Sequence, residues 1–208
     1  MRKGSVTLTF DNFEGWMTRY VTLLNRLMQA QRVVGTPVDK KEILEAFVFK
    51  VVALWEVFIE DLMVDCLNRD CTQYAAFMET RLSKHLPRTV CRAMLTGLGY
   101  TDFKSVSHIK DIAGKILVPA HNPFKHIAPP TAERIDEFAK MRNYLAHYST
   151  PARRSLHSSY RRNHKLTNFR EPADFLYADN RKSKQIRFGD YIDAYLDAST
   201  AMRKALGV

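Results

Sequence analysis

Cysteine is scarce in this 208-residue chain: Cys66, Cys71 and Cys91 are the only three, and none forms a CxxC pair. A small odd count without that spacing excludes a disulfide framework and a cysteine-based zinc site, leaving reduced thiols as the plain reading. The chain also lacks a Gly-rich phosphate loop, a GxSxG turn and any zinc-ligand signature, which removes P-loop and α/β-hydrolase chemistry from consideration. His121 with His126, and His157 with His164, are loosely spaced and have no carboxylate or thiolate company, so neither metal nor cofactor is expected. No uncharged apolar run approaches the roughly 20 residues that a spanning helix needs. The most apolar stretch, Ile43 to Met63, is broken by Glu45, Lys50, Glu56, Glu60 and Asp61. The opening MRKGSVTLTFDNFEGW has no apolar core segment and no small-residue cleavage site, so it does not read as a signal peptide. The expectation is a cytoplasmic protein with no membrane contact.

Negative charge is absent where positive charge is dense. Between Phe138 and Arg170 there is no Asp or Glu, while Lys140, Arg142, Arg153, Arg154, Arg161, Arg162, Lys165 and Arg170 supply eight cations. Arg181, Lys182, Lys184 and Arg187 follow, and the whole chain carries a net charge of +10 with pI near 9.6. Charge of one sign gathered on one segment suits a polyanion, and RNA is the expected partner. Tyr148, Tyr160 and Phe169 lie among these cations, where they would stack on unpaired bases. The RNA-binding set expected from this pattern is Arg153, Arg154, Tyr160, Arg161, Arg162 and Lys165. The plainer reading is a solvated basic loop that only keeps the protein soluble.

What is present is helix. Apolar residues make up 46% of the chain, enough for a folded core. Phe13, Trp16, Met17, Tyr20, Leu23, Leu24, Leu27 and Met28 repeat at helical spacing, which predicts a helix starting at Asp11 with Glu14 as its capping-box partner and ending at Gly35-Thr-Pro37. A second helix is expected from an Asp39 cap to about Arg69. It is apolar nearly all round, so it is the centre of a bundle or part of a dimer interface. Trp55, Phe58 and Phe49 read as core. Shorter helices are expected over 74–95, interrupted at Pro87, with a turn at 97–100 and another helix over 103–118. A loop bounded by Pro119–Pro123 and Ala128–Pro130 leads to a helix capped by Thr131. Residues 149–170 show no good apolar period, Phe175–Tyr177 and Gln185–Phe188 suggest a small hairpin, and Gly189-Asp190 opens the last helix. The fold class is therefore all-α, with a basic loop or small hairpin inserted before the last helix.

The stretch Met-Arg-Asn-Tyr-Leu-Ala-His-Tyr, residues 141–148, ends the helix expected after Thr131. Asn143 and His147 are four apart and share a helix face. Arg142 stands about 140° round from His147, and its long side chain reaches past the helix edge. Guanidinium, amide and imidazole are parts suited to breaking a phosphodiester without metal: histidine moves protons, and arginine stabilises charge on phosphorus. The plain alternative is that His147 merely caps the helix C-terminus, where the dipole favours it. Glu56 and Glu60, also four apart, imitate a catalytic carboxylate pair but more commonly pair with cations.

This stretch resembles the R-x4–6-H motif of HEPN domains in its RNxxxH form. The segment Ala-Phe-Val-Phe-Lys-Val-Val-Ala-Leu-Trp-Glu-Val-Phe-Ile-Glu-Asp-Leu is similar to the long apolar helix with an embedded glutamate in the RiboL-PSP/MAE-type branch. The resemblance covers most of the chain as helix order, but only these two segments as sequence. It implies a single HEPN-like domain over residues 1–208, an antiparallel helical bundle that dimerises so that two motifs form one composite cleft. It further implies a metal-independent endoribonuclease leaving 2′,3′-cyclic phosphate and 5′-hydroxyl ends, a toxin or defence effector with an antitoxin or inhibitor protein as a possible partner. By that implication Arg142 binds the scissile phosphate, Asn143 positions the site, His147 is the general acid or base, and Glu56 orients the arginine. The family also holds non-catalytic members that bind RNA or proteins, and the basic insertion at 149–188 departs from its minimal bundle.

Overall fold

The computed structural model describes residues 5–29, 36–97, 105–180, 183 and 185–208. These form α1 (Val6–Gln29), α2 (Pro37–Arg69), α3 (Thr72–Phe77), α4 (Arg88–Gly97) and α5 (Val106–Ile116), then α6 (Pro129–His147), α7 (Thr150–His164), α8 (Pro172–Tyr177) and α9 (Arg187–Leu206). Two 3-10 turns, Pro119–His121 and Phe124–His126, connect α5 to α6. The only described strands are β1 (Asp179–Asn180) and β2 (Gln185–Ile186), an antiparallel pair of two residues each. The protein is all-α. No described helix is long and apolar enough to cross a membrane.

Cross-helix contacts give the packing directions. Near the start of α1, Thr9 donates to Asp65 near the end of α2, while Tyr20 meets Phe47 edge-on, so α1 and α2 are antiparallel. Arg88 of α4 meets Asp65, and Arg92 meets Asp61, so α4 also runs against α2. Glu137 meets His164 and Lys140 meets Ser159, which makes α6 and α7 a third antiparallel pair. Phe138 of α6 packs on Phe188, Tyr191 and Tyr195 of α9, and Arg203 of α9 binds Asp11 and Glu14 of α1, each at 2.8 Å. One apolar cluster runs from Val6 to Met202. α2 lies at its centre: Leu62, Met63 and Val64 are wholly buried, as Cys66 and Leu67 are.

Local chemistry explains where these helices begin. Thr36 caps α2 and Asp39 reaches back to the Thr36 N–H, so Asp39 is the partner of the capping box and not its cap. α1 starts at Val6, where Ser5 Oγ accepts the Leu8 N–H; Asp11 and Glu14 serve as anchors for Arg203 instead. α6 begins with Pro129 and Pro130 in the first turn, which need no N–H partner there, rather than at Thr131. The expected end of the first helix at Gly35 and most of the turn at 97–100 lie outside the described residues, as do Phe103 and Lys104 at the start of the expected fifth helix.

The segment 149–188 differs most from the sequence reading. It is not a loop: residues 150–164 form α7, capped by Ser149 Oγ accepting from Ala152. The inward face is Ala152, Leu156, Ser159 and Tyr160. Two of those four are small or polar, so a purely apolar count misses the period. Phe175–Tyr177 belongs to α8, and α9 absorbs Arg187 and Phe188, which shrinks the hairpin to four residues. Phe49, expected in the core, is 38% exposed on the outer face of α2. The three thiols are free and buried, and burial pushes Cys66 up to about 12 and Cys91 up to about 11. Such thiols are poor nucleophiles and poor metal ligands.

Candidate functional site

The stretch 141–148 forms the last turns of α6 and the corner into α7. Met141, Tyr144 and Leu145 point inward and fix the helix on the core. That leaves Arg142 half-buried beside α2, with Asn143 and His147 on the exposed side. Arg142 Nη2 donates to both oxygens of Glu56, at 3.0 and 3.3 Å. Both side chains are about a third exposed, 34% and 33%, so the pair fixes geometry more than it adds stability. The carboxylate of α2 thus meets the arginine of α6. Glu60 pairs separately with Arg92, so Glu56 and Glu60 each anchor a different cation.

The side chains of Asn143 and His147 make no hydrogen bond or ion pair among the described residues. His147 is the final helical residue, and the C-cap is Tyr148, left-handed at φ 45°, whose N–H donates to the Tyr144 carbonyl. His147 thus stands in the last turn, where the helix dipole favours a cation, and its side chain has no hydrogen-bond or ion-pair partner among the described residues. Arg142 is aimed at α2 while Asn143 and His147 face solvent, so the three are not closed into one pocket.

The surroundings are mixed in charge. Tyr148 is 64% exposed and packs on Tyr144 at 5.4 Å. Its phenol pKa is raised by burial of the hydroxyl and by the nearby carboxylates of Glu45 and Glu171. Burial also raises the Glu45 carboxyl, and Glu171, Glu42 and Asp174 add to the shift. Glu42 and Glu45 come from α2, remote in sequence, while Glu171 and Asp174 directly follow the cation-rich segment, just outside its acid-free span.

The expected RNA-binding residues divide. Tyr160 is fully buried, stacked on Phe175 at 4.4 Å, and cannot take a base: it is a core residue. Arg153 lies over the Phe169 ring at 4.6 Å. Arg154 and Arg161 are exposed on α7. Arg162 and Lys165 sit at the far end of α7 beside the first half of α6, where they line a separate cleft. Arg181, Lys182 and Lys184 lie outside the described residues.

That cleft holds a group which the sequence reading missed. Glu137 Oε2 accepts from the Tyr191 hydroxyl at 2.7 Å and lies 2.8 Å from His164 Nε2. The three residues are 27 positions or more apart in sequence between α6, α7 and α9, so no local spacing could announce them. A Glu at an inward helix position was the available signal. Among the described residues no group of three His, Cys, Asp or Glu side chains is placed to hold a metal ion.

No protein-family model matches this chain, and neither a search of characterised proteins nor one of solved structures finds a significant match.

Proposed function

We propose that the protein is a metal-independent endoribonuclease of HEPN type, acting as a homodimer in which the α6 ends of two copies face each other across the RNA. The observation that carries this reading is the state of the motif: Arg142 is held by Glu56, while Asn143 and His147 are exposed and unengaged. An arginine fixed by a carboxylate is oriented before the phosphate arrives, and an exposed imidazole is open to take or give a proton. A second copy is supported by the outer face of α2. There Phe49 and Val57 are 38% and 58% exposed, on the same helix as Glu56.

The chemistry that follows needs one base and one acid. One His147 takes the proton of the ribose 2′-hydroxyl, and that oxygen attacks the adjacent phosphorus. The bond from phosphorus to the 5′-oxygen breaks, and His147 of the second copy protonates the leaving oxygen. Arg142 stabilises the charge on the non-bridging oxygens. The products are a 2′,3′-cyclic phosphate and a 5′-hydroxyl. A toxin or defence effector restrained by an inhibitor protein is the setting that the motif's resemblance implies.

A second reading is a non-catalytic module that binds RNA or a protein partner, favoured by the exposed Arg154 and Arg161 of α7. Parallel measurement of RNA binding and RNA cleavage separates the two. For the enzyme, His147→Ala abolishes cleavage and leaves salt-dependent binding in place. For the module, wild type binds without cutting and His147→Ala binds equally well.

A further inference from the structure

The cleft between α6, α7 and α9 has a composition of its own. Its volume is about 610 Å³, and Arg134, Arg162, Lys165 and Arg187 line it together with Glu137 and His164. No carboxylate stands within ion-pair distance of any of these four cations among the described residues, whereas Arg88, Arg92, Arg142 and Arg203 each have one. Nη1 of Arg187 is buried and has no hydrogen-bond partner. The carboxylates in the cleft are occupied elsewhere. Asp190 accepts from the amides of Asn180 and Gln185, at 2.6 and 3.1 Å. Glu137 is 1% exposed, and its Oε2 serves Tyr191 and His164. Its second oxygen, Oε1, is buried without a donor. Glu133 is the third carboxylate, exposed on the rim.

Buried polar atoms left unpaired are costly, so their persistence at one place points to an absent partner. The Arg187 guanidinium rests on the Phe175 ring at 4.5 Å without a hydrogen bond among the described residues, and it and the other three cations are left to be matched by an anion. The free oxygen of Glu137 needs a hydrogen-bond donor at a second point, apart from the anion that the cations hold, and a polyol hydroxyl supplies one. The volume lies in the roughly 300–1,000 Å³ range of small-molecule sites, far more room than a phosphate fills. We infer that this cleft binds a small phosphorylated polyol, a sugar phosphate. Its phosphate sits among Arg134, Arg162, Lys165 and Arg187, and a sugar hydroxyl donates to Glu137 Oε1.

The cleft stands apart from the RNA-cleaving surface. Glu137 lies about 140° round α6 from Arg142 and about 15 Å along it from His147. Either site can therefore fail while the other holds.

Calorimetric titration with ribose 5-phosphate, inorganic phosphate and ribose tests the assignment. Ribose 5-phosphate should bind at least about tenfold more tightly than either half. Arg134→Gln and Arg162→Gln, both on the exposed rim, should each weaken the two phosphate-bearing probes about tenfold. Glu137→Gln should erase the advantage of the ester over inorganic phosphate, and His147→Ala should change nothing. The assignment is overturned if neither phosphate-bearing probe binds at millimolar concentration. It is equally overturned if inorganic phosphate matches the ester, if both rim variants bind as wild type does, or if His147→Ala removes binding.

Discussion

Glu56 is the residue on which the proposed site turns. Its pair with Arg142 is one-third exposed on each side, so Glu56→Gln should change stability by less than about 1 kcal/mol. The same change lets the guanidinium swing, and misplacement of about 1 Å is enough to lower cleavage on the order of a hundredfold. Thermal melts and initial rates on one preparation check both halves; a large fall in Tm with unchanged cleavage would mark the pair as structural. Tyr160 gives the opposite case. Its hydroxyl is buried with no partner, and burial raises its pKa far above the ordinary phenol value, with Glu137 adding to the shift. Tyr160→Phe should therefore leave RNA affinity unchanged and raise stability by about 1 kcal/mol; weaker RNA binding would return Tyr160 to the interface. These two residues also show what single positions reveal in sequence. The Arg142–Glu56 contact was legible because both residues belong to segments with a recognisable pattern. The burial of Tyr160 was not, because among arginines an aromatic looks like a stacking platform until the helix face is known.

At the scale of elements, α2 and α6 were readable and α7 was not. Long apolar runs fix α2, and strict i, i+3, i+4 spacing fixes α6. The inward face of α7 is half small or polar, so tertiary packing decides it. Leu156 is the only large aliphatic side chain on that face and is fully buried. Leu156→Ala should cost about 3 kcal/mol in denaturant unfolding; a cost near zero would mean that α7 is not packed as described. The contact of α1 with α2 supplies a pH signature. Burial raises the Asp65 pKa above its ordinary 3.8, against the opposing effects of the Thr9 hydrogen bond and Arg88. A carboxyl whose folded pKa is raised contributes stability below its unfolded pKa and gives it up as pH climbs through the folded value. Asp65→Asn has no such loss, so its Tm relative to wild type should rise as pH climbs above about 4. A difference that stays flat as pH climbs would contradict the shift.

For the whole molecule, the surplus of positive charge was plain in composition, but its distribution was not. Arg162 and Lys165 share a cleft with His164 and Glu137, while Arg154 and Arg161 face outward on α7. Glu45 and Glu171 stand near Tyr148, although the segment around it contains no acid. Packing of α6 against α7 makes the first grouping, and α2 and the residue before α8 bring the acids to Tyr148. RNA affinity should fall as salt rises, and the double change Arg154→Gln, Arg161→Gln should flatten that slope by about two phosphate contacts; an unchanged slope would place the RNA elsewhere. The central claim is that Arg142 and His147 cut RNA without metal. The direct measurement is to incubate purified protein with a mixed RNA pool in EDTA and map the ends, beside Arg142→Ala and His147→Ala. The account predicts 2′,3′-cyclic phosphate and 5′-hydroxyl ends in wild type alone. Ends of that kind persisting in His147→Ala, or RNA bound but left intact by wild type, would contradict it.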